Sequence, residues 1–236
     1  MKLAADIADS FLFAPPAGSS VYSAEDLCRP DTARAALDPF IRQHKGEDAA
    51  AVISMWSQWY FARLLPAWTK INLLHGWQLP AAPRSIRFTL AEGGVPEQFI
   101  LAGQGEAIRP DADIFARFQP LVEEHLQPVC LTLSRLSAIK PGMFWNNAAI
   151  RIAYGFTLAQ ELAADIGGAG LLLSSKTQPD GTINRLFEPV RYVNDEKGGV
   201  KAIRRLCCLR YKISDTVYCP SCPLLQANRR KTRCRG

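Results

Sequence analysis

Apolar and polar positions along the chain change period several times, and each change predicts an element. From Glu47 to His75 apolar residues recur at spacings of three and four, through Val52, Met55, Trp56, Trp59, Tyr60 and Leu64. That period predicts one long helix, with Pro66 expected to kink it or split it in two. Residues 85–90 and 98–101 alternate instead and flank Gly93-Gly94, which predicts a β-hairpin. Asp111 is expected to cap a helix carrying Ile114, Phe115 and Phe118. A further helix is expected from about Leu121 to Ile139, bent at Pro128. Asn146 or Asn147 is expected to cap another, from Ile150 to Leu162, ended by Gly167-Gly168. Residues 185–193 and 200–206, around a turn at 194–199, predict a second hairpin that leads straight to Cys207. The first 24 residues, with Pro15-Pro16 and Gly18, read as a poorly ordered lead-in, and 24–45 as a weak helix broken at Pro39.

These elements amount to a helix-rich α+β fold with two β-hairpins and a C-terminal cysteine-bearing lobe. The expected organisation is a lead-in over 1–45, a helical and hairpin body over 46–199, a cluster segment over 200–223 and a basic tail over 224–236. With 236 residues, 48% of them hydrophobic and 21% charged, the chain can bury a substantial core. No apolar run approaches the ~18 residues of a membrane span. Asp6 and Asp9 break any secretory-signal layout, so a cytoplasmic location is the expectation.

Charge and cysteine are unevenly placed. The chain carries +6 overall, yet residues 201–236 hold ten Lys or Arg against Asp215 alone, a balance of +9. Five of the seven cysteines lie there too, and 207–222 follow the pattern C-C-x10-C-x2-C. Four thiols so close together in a cytosolic chain are poor candidates for disulfides; thiolates select zinc or iron–sulfur chemistry. The C-x2-C half, stiffened by Pro220, suits either. Consecutive cysteines on a strand point opposite ways, so the backbone must bend at Cys207-Cys208, or the sulfurs must meet something wider than one ion. Spacing therefore favours a two-iron cluster and leaves zinc open.

Arg204-Arg205, Cys207-Cys208, Arg210-Tyr211, Cys219 and Cys222 together resemble the C-terminal signature of FhuF-type ferric-siderophore reductases. Ile53 to Tyr60, and Phe144-Trp145-Asn146-Asn147, are similar to that family as well. The resemblance spans about residues 50 to 223. It implies a [2Fe–2S] cluster on Cys207, Cys208, Cys219 and Cys222, and cytoplasmic one-electron reduction of iron(III) in imported siderophores, chiefly hydroxamate or mixed types. Iron(III) is hard and holds oxygen ligands far more tightly than iron(II), so one electron is enough to release it.

No dinucleotide-binding fingerprint follows a strand, so electrons are expected from a separate donor such as a ferredoxin. The basic tail would attract an acidic donor and also suits peripheral association with a membrane. Arg204, Arg205, Arg210 and Lys212 would offset the charge of the cluster, Arg210 foremost. An aromatic groove would suit a bulky siderophore, with Trp56, Trp59, Tyr60, Trp145, Asn146, Arg151 and Arg205 as candidate substrate contacts. Aromatics at helical spacing are more often core. Cys130 reads as a buried thiol, and Cys28 and Cys234 as bystanders. Two other functions compete: a nucleic-acid-binding protein with a four-cysteine zinc site, and a siderophore-binding accessory protein with a non-catalytic cluster. Nucleic acid is not the expected partner, because the basic residues do not interleave with aromatics.

Overall fold

The computed structural model describes residues 2–162, 166–194 and 199–225. In chain order the elements are α1 (Lys2–Ala8), β1 (Val21–Ser23), α2 (Pro30–Gln43), α3 (Ala49–His75), β2 (Trp77–Gln78), β3 (Ile86–Leu90), β4 (Pro96–Leu101) and β5 (Glu106–Ala107). There follow α4 (Ile114–Gln119), a wide helical turn over Pro120–Leu126, α5 (Gln127–Ser137), α6 (Pro141–Leu162), α7 (Leu171–Ser174), β6 (Val190–Asn194) and β7 (Val200–Arg204). The fold is α+β: a helical body with small antiparallel sheets and the cysteines at its C-terminal side. No helix among the described residues is long and apolar enough to cross a membrane.

The long helix forms as the apolar period predicts. Asp48 caps α3 by accepting from the Ala51 amide at 2.9 Å, and Gly76 ends it with a left-handed φ of 56°. Pro66 lies inside α3 without dividing it. Beside it, α6 packs so closely that a Cβ on Gly155 would fall 2.6 Å from Thr69 Cβ and 2.9 Å from the Pro66 carbonyl oxygen. Asn147 meets Ser54 and Ser57, and Gly155 meets Pro66 and Thr69, so the two helices run in the same direction. Around them Trp56, Tyr60, Phe61, Leu64, Trp68, Phe118 and Phe144 are fully buried.

The first hairpin also forms, and β1 joins it in the order β1-β3-β4, with Tyr22 opposite Phe88 and Phe88 opposite Phe99. Phe88 and Phe99 pack edge-on against Tyr60. Gly94, at φ 79°, presses onto Pro39 and Phe40 of α2 where no side chain would fit, and its carbonyl accepts from Trp56 Nε1 at 3.1 Å. The hairpin turn is thereby wedged between α2 and α3.

Several sequence expectations need correction. Residues 2–24 are not a loose lead-in: Ile7 and Phe11 are buried, and Asp6 ties α1 to α3 through His75 at 2.7 Å and Lys70 at 3.3 Å. Pro39 does not break α2, which continues to Gln43. Asp113, not Asp111, caps α4, accepting from the Ala116 amide at 2.8 Å. Asn146 and Asn147 cap nothing; α6 begins at Pro141 and both lie buried within it. The helices expected around residue 120 are joined by the wide turn at Pro120, and Pro128 sits in the first turn of α5, where its missing N–H costs nothing. The second hairpin pairs Val190 with Arg204 and Asn194 with Val200. Gly167-Gly168, expected to end α6, instead begin a short helical turn over Gly167–Gly170 that leads into α7. Most of the hairpin's expected turn, residues 195–198, lies outside the described residues.

Candidate iron–sulfur site

The second hairpin delivers the chain to Cys207, and α6 sets its exit. Asn146 Nδ2 donates to the Pro189 carbonyl at 2.7 Å, and its Oδ1 accepts from the Leu206 amide at 3.3 Å. The bend that adjacent cysteines require comes one residue after them. Leu209 adopts a left-handed φ of 62°, a conformation costing a non-glycine residue roughly 1–3 kcal/mol unless its surroundings hold it. It turns the Leu209 amide onto Cys207 Sγ at 3.4 Å and the Arg210 amide onto Cys208 Sγ. On the other side, the Cys222 amide closes a turn on the Cys219 carbonyl at 2.9 Å, and the Leu224 amide points at Cys222 Sγ at 3.4 Å.

The two halves meet sulfur to sulfur. The Cys208 thiol lies beside that of Cys219, and the Cys207 thiol beside that of Cys222. The neighbouring Cys219 brings the Cys208 thiol down to about 5, with Arg204 and the Arg210 amide helping against burial. Cys208 in turn moves Cys219 up. Burial pushes Cys207 up to about 11. A two-iron cluster takes two cysteines on each iron. Two pairs of thiols, with amides aimed at three of the sulfurs, fit the cluster. Cys28 and Cys130 stand elsewhere; burial pushes Cys28 up to about 11 and Cys130 higher still. Cys234 lies outside the described residues.

Beneath the thiols is a polar shelf. Ser54 Oγ donates to the Cys208 carbonyl at 2.7 Å, and Asn147 Nδ2 donates to Ser57 Oγ at 3.0 Å and Ser54 Oγ at 3.4 Å. Asn147 Oδ1 accepts from the Arg204 guanidinium, which also donates to Gln58 Oε1 at 3.1 Å. The Arg204 amide donates to the Ser221 carbonyl, within the Cys219–Cys222 turn, at 2.9 Å. Farther out, Lys212 Nζ meets Asp48 at 2.7 Å and the Ser214 amide meets Glu47 at 3.0 Å, clamping the segment to the start of α3.

The candidate substrate contacts scatter. Trp56, Tyr60 and Trp145 are core side chains, not groove lining: Tyr60 shares a 3.0 Å hydrogen bond with buried His125, and Trp145 lies under Arg185, 5.7 Å from its ring centre. Burial brings His125 down to about 4, so it is neutral. Trp59 is 43% exposed. Asn146 positions backbone. Arg151 is half-buried, and burial followed by the charge of Arg204 lowers its pKa. Arg205 forms an exposed ion pair with Glu188. Both residues border a cavity of about 480 Å³ between α6 and β6, lined also by Phe156, Leu173 and Tyr192, and a smaller one of about 230 Å³ reaching Leu206. Sequence reasoning missed the shelf. Its signal was available: Ser54, Ser57 and Gln58 are polar at i, i+3 and i+4 on an otherwise apolar helix.

The family model described as "Ferric iron reductase FhuF-like transporter" matches residues 54–200, and that of the FhuF 2Fe-2S C-terminal domain matches 204–224. Ferric siderophore reductase of Escherichia coli (strain K12) is 25% identical over 176 residues, which are 73% of this chain and 65% of that protein. The chain thus spans a little under two thirds of that relative's length. Among solved structures, aerobactin synthetase IucC from a hypervirulent pathotype of Klebsiella pneumoniae aligns with a TM-score of 0.51 and 16% identity, over 73% of this chain and 36% of that one, a likeness of fold alone. With most of the body and the whole cysteine segment matched, this chain belongs to the FhuF-like ferric iron reductase family and carries its [2Fe–2S] C-terminal domain.

Proposed function

We propose that the protein reduces iron(III) held in a siderophore, hydroxamate or mixed in type, by one electron in the cytoplasm, and that Cys207, Cys208, Cys219 and Cys222 hold the cluster. The observation that carries this reading is that both halves of the cysteine segment turn backbone amides onto their sulfurs, Leu209 onto Cys207 and Leu224 onto Cys222 at 3.4 Å each, while Arg205, just upstream, lines a cavity. When bound, a [2Fe–2S] group ligated by thiolates supplies a one-electron carrier of low potential.

The chain's own residues do the rest. The Leu209, Arg210 and Leu224 amides hold the sulfurs in place and favour their charged form. The polar shelf fixes Cys208, and Asn146 fixes the approach to Cys207. The cavity flanked by Arg205, Glu188 and Tyr192 offers apolar walls with charge at the edge, which suits a siderophore's mixed surface. On the cysteine segment Tyr211 and Tyr218 stack with ring centres 5.1 Å apart beside exposed Arg210, a face suited to an acidic donor such as a ferredoxin.

Anaerobically purified protein is expected to contain iron and acid-labile sulfide. After reduction it should give a low-temperature EPR signal that disappears when a ferric hydroxamate is mixed in under stopped flow. A reduced signal that persists with the ferric hydroxamate present would end the reductase reading. Zinc without sulfide would end the cluster assignment.

A further inference from the structure

Arg204 is the last residue of β7 and only 4% exposed. A buried guanidinium ordinarily needs a carboxylate to offset its charge. None lies within ion-pair distance of Arg204 among the described residues. Its two partners, Gln58 and Asn147, are neutral amides. Two donors also remain over: Arg204 Nε and Gln58 Nε2 are buried with no hydrogen-bond partner. Buried donors without acceptors are rare and costly. Arg204 is nevertheless bound to both cysteine halves, to the 219–222 turn through its own amide and to Cys208 through Asn147 and Ser54. The neighbouring Arg205 is spent on Glu188 at the surface.

We propose that Arg204, oriented by Asn147 and Gln58, is the counter-charge of the cluster, that its Nε–H and the Gln58 amide donate to cluster sulfur, and that this positioning pair sets the reduction potential. The inference rests on the cysteine-held cluster proposed above. A cluster gains one negative charge on reduction, and a fixed cation in a dry site favours the more negative state. Hydrogen bonds to the sulfurs act in the same direction.

The test is an EPR-monitored redox titration of the full chain, with iron and sulfide measured first in each variant. Arg204→Met is expected to disfavour reduction at least tenfold, a fall of about 59 mV per tenfold for one electron. Arg204→Lys keeps the charge but loses the planar donor, and should fall less. Gln58→Glu, nearly isosteric, places the missing carboxylate against the guanidinium; it should lower the potential while leaving thermal stability at or above that of the wild type. A purely structural role for Arg204 would not produce that combination. If Arg204→Met does not assemble the cluster, Gln58→Glu decides alone. An unchanged midpoint in Gln58→Glu, with full iron and sulfide, overturns the proposal and leaves the cysteine ligation standing. Wild-type protein without iron or sulfide would remove both.

Discussion

The α3–α6 contact is dry at one end and polar at the other. Toward Thr69, Pro66 and Gly155 the helices touch closely, with no room for a methyl group. Toward Ser54, Ser57 and Asn147 the same pair meets through hydroxyls, an amide and, from β7, an arginine. Apolar packing would have been the simpler way to join two helices, since buried polar groups contribute only when every partner is in place. Arg204 Nε and Gln58 Nε2 at the polar end are unpaired within the protein, as is Thr69 Oγ1 at the other. The difference teaches that the dry end holds the body together, whereas the polar end is shaped for what it carries.

The comparison breaks most completely at the thiols. Serine at 207, 208, 219 or 222 is expected to abolish or strongly perturb the cluster absorption and EPR signals, while Cys28→Ser and Cys130→Ser leave them intact. Loss of the signals in Cys130→Ser with Cys207→Ser harmless would contradict the ligand set. Next in size is Asn147→Leu, which removes the acceptor of a buried cation and is expected to cost roughly 2–3 kcal/mol. Denaturant midpoints should fall and the EPR line shape should change together. Gly155→Ala tests the other end. Its Cβ would overlap Thr69 and Pro66, so about 1–3 kcal/mol of stability should be lost with the cluster spectrum unchanged. Equal spectral effects from these two variants would erase the distinction between the ends.

The smallest effect lies at the outer clamp. The Ser214 amide holds the Glu47 carboxyl below its ordinary 4.5, and Lys212 holds Asp48 below its ordinary 3.8. A depressed carboxylate stabilises the fold fully above its unfolded value, and that contribution disappears as pH falls through the folded one. The difference in thermal midpoint between wild type and a Glu47→Gln, Asp48→Asn double variant should therefore be constant above about pH 5 and shrink below about pH 4. Asparagine still caps α3, which isolates the clamp. A difference independent of pH would show that these carboxylates hold nothing.

Much of this was legible in residue order. The apolar period from Val52 to Leu64 marks α3, alternation around Gly93-Gly94 marks the hairpin, and the spacing of the four cysteines marks the candidate site. Local signals failed where the deciding partner is distant. Ile7 and Phe11 gain their burial from elements far along the chain, and nothing in a Pro- and Gly-rich opening announces them. Asn147 has the side chain of a helix cap, and only Ser57 and Arg204, 90 and 57 residues away, explain its place inside one. Trp56, Tyr60 and Trp145 show the same limit: an aromatic stripe looks alike whether it lines a groove or fills a core. Which of Arg204 and Arg205 turns inward is decided by Gln58 and Asn147 on one side and Glu188 on the other.

The shelf also has an order in time. Ser54, Ser57, Gln58 and Asn147 all precede the first of the four thiols in the chain, and protein domains form from the N-terminal side as synthesis proceeds. Every side chain of the seat for Arg204 is therefore synthesised before Cys207, so the turns that carry the thiols are added to a chain that already holds the residues of their floor.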